Sequence, residues 1–108
     1  MNVDRVAALR AQCGGPRDGA LLRFSLGSAL LEAGDAIAAR EELQCAVAFD
    51  PRYSAAWKAL GKACLAAHDH AAAAAAWRQG IAVAGERGDQ QAAKEMAVFL
   101  KRLDRDTD

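Results

Sequence analysis

The stretch Trp57-Lys58-Ala59-Leu60-Gly61-Lys62-Ala63-Cys64, followed by Ala73, Trp77 and Gly80, has a counterpart 34 residues earlier. There the chain reads Arg23-Phe24-Ser25-Leu26-Gly27-Ser28-Ala29-Leu30, then Ala39, Leu43 and Ala46. The pair Leu26-Gly27 returns as Leu60-Gly61, Asp35 aligns with Asp69, and Val47 with Ile81, with no gap between them. One match would mean nothing, but this many at one offset mark a duplicated structural unit. Glycine at the repeated position lets one helix approach another closely, while Leu26, Leu60, Leu43 and Trp77 fill the space on either side.

Around these units the periodicity is helical and nothing alternates like a strand. The spacing predicts a first helix over about Val3 to Gln12, ended by Gly14-Gly15-Pro16, and a second from about Gly19 to Ala33, stopping at Gly34. Asp35, Asp69 and Asp89 stand where a carboxylate accepts from the free N–H groups of the following helix. The third helix ends near Phe49 because the residue before a proline avoids the helical region, and Pro51 suits the first turn of the fourth. The fourth ends near Ala67, the fifth around Gly85 to Gly88, and the sixth reaches about Asp104, leaving Arg105 to Asp108 to fray.

The chain has 108 residues, with 14 basic and 14 acidic side chains. This suffices for one domain of modest core and gives no global pull toward nucleic acid or membrane. Much of the apolar content is alanine, which favours helix but buries little area, so Trp57, Trp77, Phe24, Phe49, Phe99, Tyr53 and the leucines must carry the packing. No apolar run is long enough to span a membrane and no leader pattern opens the chain, which places the expectation in the cytoplasm. Cys13, Cys45 and Cys64 are odd in number and show no CxxC spacing, pointing to reduced, mostly buried thiols.

The residues quoted above resemble the tetratricopeptide repeat, whose pattern opens W-x-x-L-G-x-x-Y and continues with spaced small and aromatic residues. Trp57, Leu60, Gly61, Ala73, Trp77 and Gly80 carry the resemblance in one copy, and Leu26, Gly27, Ala39, Leu43, Ala46 and Pro51 in the other. Arg23 replaces Trp57, Leu30 and Cys64 replace the usual tyrosine, and Gly85 replaces Pro51. The resemblance covers residues 20–87, about two thirds of the chain, and suggests a small bacterial-type member. It implies an all-α, right-handed superhelical array of antiparallel helix hairpins. The expected organisation is one domain, 1–108: an N-terminal helix and loop (1–19), two repeats (20–53 and 54–87), and a capping helix with its tail (88–108). Leu9 and Cys13 lie 34 residues before Leu43 and Val47, so the first helix can imitate half of a missing repeat. In the last helix Gln91, Lys94 and Glu95 stand where Trp57, Leu60 and Gly61 recur, a polar face with no further helix to meet. Ala92, Met96, Phe99 and Leu103 form an apolar stripe to lie on the last hairpin.

No catalytic constellation emerges, and neither a cofactor nor a metal is expected. His68-Asp69-His70, with Cys64 one turn earlier, has a metal-like look, but two histidines in a hairpin turn supply too few converging ligands. A turn capped by Asp69 explains them more simply. The glycines at Gly14-Gly15 and Gly85 to Gly88 lack the preceding strand of a phosphate loop.

Function must then lie on a surface. The resemblance implies a concave groove formed by the first helices of successive hairpins and receiving a peptide or partner helix. In this sequence its wall is Leu21, Phe24, Ser28 and Leu31, then Lys58, Lys62 and Leu65, with Met96 and Phe99 at one end. Lys58 and Lys62, one turn apart, suit a partner with an acidic group and a hydrophobic anchor, though they also suit a merely solvated face. The family's lysine, asparagine and arginine clamp for chaperone tails is not expected, since the one asparagine, Asn2, lies outside the groove. The competing expectation is self-association through the groove or an open end, with a homodimer as the functional unit. Trp77→Ala should lower unfolding free energy by roughly 3–5 kcal/mol, measured by urea titration. A loss below about 1 kcal/mol would remove Trp77 from the core.

Overall fold

The computed structural model describes the backbone of residues 2–107 and the side chains of residues 4–106. Six helices follow one another: α1 (Asn2–Arg10), α2 (Ala20–Glu32), α3 (Ala36–Phe49), α4 (Ser54–Ala66), α5 (His70–Arg87) and α6 (Gln90–Thr107). Among the described residues there is no strand. Each helix packs on the next, and α4 also touches α2 and α6, so α2, α4 and α6 form one layer. This is an all-α array of antiparallel hairpins, in which α1 packs on α2 as α3 packs on α4.

The three aspartates behave as their positions require. Asp35, Asp69 and Asp89 accept from the backbone N–H groups of Ala38, Ala72 and Ala92 at 3.2, 3.0 and 3.2 Å. The preceding turns share one closing geometry. The N–H groups of Asp35, Asp69 and Asp89 donate back to the carbonyls of Leu30, Cys64 and Ala84 at 2.9, 2.9 and 2.8 Å. The residue before each aspartate is left-handed: Gly34 at φ 87°, His68 at 63° and Gly88 at 74°. His68 adopts it despite carrying a side chain.

Three glycines supply the recesses into which the largest core side chains fit. A Cβ on Gly27 would stand 2.5 Å from Leu43 Cγ, one on Gly61 would fall within the Trp77 indole, and one on Gly80 would meet the Met96 sulfur. Leu26, Leu43, Trp77 and Met96 are the large side chains most fully enclosed, with Cys64 beside them. Trp77 satisfies its one polar atom by donating from Nε1 to the Lys58 carbonyl of α4 at 3.1 Å.

Where Trp57 sits in the second repeat, Arg23 in the first has a different role. Its guanidinium grips Asp18 through Nε and Nη2, each at 2.9 Å, and Glu42 through Nη1 at 2.8 Å. The same Asp18 carboxylate accepts from the N–H groups of Gly14 and Gly19 at 2.8 and 2.9 Å, closing the α1–α2 loop onto α2. Arg23 chiefly, then the Gly14 N–H, hold the Asp18 carboxyl well below the usual carboxylate range. Trp57 is only half-buried and donates through Nε1 to Pro51 O at 2.8 Å.

Several boundaries differ from the sequence-based expectation. α1 ends at Arg10, and residues 11–14 turn rather than extend the helix to Gln12. Gly19 caps α2 instead of starting it. α5 is longer than α3, 18 residues against 14, because Gly85 permits the helical continuation that Asp50-Pro51 prevents. α6 runs on to Thr107, past the expected end near Asp104, with Leu103 buried in its final turns and Arg105 favourably placed at the C-terminus. Asp108 lies outside the described residues. Phe49, expected in the core, is 55% exposed.

Gly61→Ala should destabilise by about 1–3 kcal/mol through overpacking against Trp77. Gly85→Ala, whose Cβ would meet nothing within 4 Å outside its own helix, should stabilise by roughly 0.5–1 kcal/mol through helix propensity. His68→Gly should likewise gain on the order of 1 kcal/mol by removing a left-handed side-chain residue. Urea midpoints in the reverse order would refute the close-contact account. The lowered Asp18 pKa stabilises the fold above its unfolded value of about 3.9, and the gain disappears as pH falls through the folded value. Asp18→Asn should therefore be less stable at neutral pH but lose stability less steeply below about pH 4. Parallel acid limbs in the two proteins would overturn that assignment.

Candidate functional site

Two depressions meet on the layer formed by α2, α4 and α6. The first, between α2 and α4, is an open groove of about 340 Å³. Phe24, Ser28, Leu31 and Glu32 come from α2, and Ala55, Lys58, Ala59 and Lys62 from α4. The α4 residues share one face through their three- and four-residue spacing, and the two alanines leave the floor open. Phe24 is braced from behind by Tyr53, ring centroids 5.0 Å apart.

The second depression, about 290 Å³, lies between α4, the start of α5 and the C-terminal half of α6. Trp77, Phe99 and Leu103 line it with Leu65, while Lys62, His70, Arg102 and Asp106 contribute polar groups. The Trp77 and Phe99 rings are tilted by 47° with centroids 5.3 Å apart. Lys62 Nζ stands 5.3 Å from the Phe99 centroid, within cation–π range, and its side chain lines both depressions.

The structure thus brings Phe24, Ser28, Leu31, Lys58 and Lys62 together, and groups Leu65 and Phe99 with Lys62 in the neighbouring hollow. Two expected groove residues lie elsewhere. Met96 is fully buried because the recess at Gly80 draws its thioether inward, so it cannot close the groove. Leu21 is 69% exposed on α2 and lines a separate depression with Leu9, Leu22 and Arg17. Lys58 is not a free cation either, since its Nζ binds Glu95 Oε1 at 3.2 Å. Glu95, expected on the outward polar face, instead reaches back to α4.

Sequence reasoning missed Glu32, Ala55, Ala59, Arg102 and Asp106. The first three were available from helical spacing with Ser28, Lys58 and Lys62. Arg102 and Asp106 continue the face of Phe99 at three and seven residues, but the sequence reading drew only Met96 and Phe99 of α6 into the groove.

The Asp69 carboxylate caps α5 and lies 3.8 Å from Arg40. Cys13 and Cys64 have thiol pKa values pushed up by burial, disfavouring the thiolate needed for nucleophilic chemistry. Among the described residues no helix is long and apolar enough to cross a membrane.

TPR repeat-containing protein PA0015 of Pseudomonas aeruginosa (strain PAO1) is 60% identical over 88 residues, spanning 82% of this chain and 84% of that protein. The solution structure of protein BPP2914 from Bordetella parapertussis superposes with a TM-score of 0.79 at 47% identity, covering 95% of this chain and 87% of the other. No family model matches. Together with the 34-residue repeat and the glycine-seated core, the first of these likenesses settles the classification: the chain belongs to the tetratricopeptide repeat family.

Proposed function

We propose that this protein is a non-catalytic, cytoplasmic interaction module that receives an extended peptide or partner helix along the α2–α4 groove. The open trough of about 340 Å³ between Phe24 and Leu31 on one side and Ala55 and Ala59 on the other carries this reading. Its apolar walls contribute burial energy to a complex, while Lys62 at the margin favours a partner carrying an acidic group. The chemistry of the chain supports the non-catalytic reading: aspartates cap helices or hold ion pairs, and two thiols are disfavoured as nucleophiles by burial.

Selection of random dodecapeptides against the purified protein tests this function. The folded wild type should enrich peptides that bind it as a monomer, and Ala59→Arg, which blocks the trough from an accommodating position, should weaken them at least about ten-fold. Lys58 is a poor position for charge reversal because the new acid would face Glu95. Failure of the folded wild type to enrich any peptide, together with a concentration-dependent rise in mass by light scattering, would replace the groove reading by self-association.

A further inference from the structure

We infer that the hollow between α4, α5 and α6 is a specificity pocket, taking one large apolar side chain of the bound peptide while Arg102 and Lys62 engage a neighbouring aspartate or glutamate. This assignment rests on the groove reading above and adds a site on α6.

Size and lining select the apolar part. At about 290 Å³, the hollow falls at the lower end of the roughly 300–1,000 Å³ typical of ligand pockets, suited to one anchoring side chain. Phe99 provides aromatic surface, packed against the buried Trp77 ring, and Leu65 adds an apolar edge. This surface is preformed: Trp77 is fixed by its hydrogen bond to Lys58 O and by its packing against Phe99. A preordered pocket costs less conformational entropy on binding than one assembled by its ligand.

Charge selects the rest of the occupant. In the α2–α4 groove, Lys58 is paired with Glu95 and Glu32 lies 4.0 Å from Arg5, which leaves Lys62 as the cation at its margin. Around the hollow stand the cations Lys62 and Arg102, while the acid Asp106 lies 3.8 Å from Arg105. The excess positive charge on the shared face therefore lies toward α6, where an acidic peptide side chain complements it. Because Lys62 borders both depressions, a peptide following the groove meets the hollow without leaving this face.

The test uses the complete protein and peptides enriched from the random dodecapeptide selection, with fluorescence anisotropy as the affinity readout. Enriched sequences should share a phenylalanine, tryptophan, leucine or isoleucine beside aspartate or glutamate. Arg102→Glu and Leu65→Arg, both at exposed positions and checked for wild-type helicity and melting, should each weaken binding about ten-fold or more. Exchanging the peptide acid for lysine should restore affinity to the Arg102→Glu protein. Peptides lost with Ala59→Arg but indifferent to both pocket variants would leave the groove intact and overturn the pocket. Enrichment of basic or purely apolar sequences would overturn it as well. No enriched peptide from the folded wild type would overturn the groove reading and the pocket together.

Discussion

The seat of Trp77 against Gly61 ties core packing to the shape of the candidate surface. Glycine removes the side-chain volume that would otherwise separate α4 from α5, and the indole fills the recess. The hydrogen bond to Lys58 O then fixes both the ring and the height of α4 against α5. This polar contact makes deep indole burial compatible with hydrogen-bond satisfaction. On its other side the ring meets Phe99, so one core residue joins three helices. Gly27 with Leu43, and Gly80 with Met96, repeat the close-packing solution along the array. They spread the constraint over successive helix contacts.

The two repeats meet the same geometric demand with different chemistry at the positions of Trp57 and Arg23. An indole reaches the loop through Pro51 O in one, whereas a guanidinium gathers a loop aspartate and a glutamate from α3 in the other. A planar cation can replace an aromatic here because both acids are supplied by fixed elements and the Asp18 carboxylate is itself held by two N–H groups. Removing one partner from such a cluster leaves a poorly solvated charge, so these three residues act as a unit. The arrangement also closes the loop that brings α1 onto α2, stabilising the end of the layer from which the groove begins.

The repeat and its caps were legible because they are local. Asp35, Asp69 and Asp89 declare helix starts, and Gly34 and Gly88 their left-handed stops, while the 34-residue offset identifies Gly27 and Gly61 as corresponding recesses. Long-range partners leave no comparable mark. Nothing in the spacing of Lys58 and Lys62 announces that Glu95, 37 residues from Lys58, neutralises only one of them. Helical periodicity put Met96 and Phe99 on one apolar stripe, but the recess at Gly80 swallows the first while Trp77 leaves the second at the surface. Phe49 similarly has an apolar identity without the three-dimensional environment that would bury it.

α6 combines two requirements on different sides of one helix. Ala92, Met96 and Leu103 are buried against the preceding hairpin, whereas Glu95, Phe99, Arg102 and Asp106 follow a neighbouring stripe at four-, three- and four-residue spacing. The first stripe supplies closure of the core. The second tethers Lys58 and supplies an aromatic surface and charged groups to the hollow. Substitutions at Arg102 or Asp106 can therefore alter surface charge without creating a core cavity, but changes at Met96 disturb the Gly80 contact directly. Phe99 stands between the two roles because it supports Trp77 while lining the hollow. The helix that terminates the described array is consequently also a place where the chemistry of the candidate surface can vary at little cost to its packing.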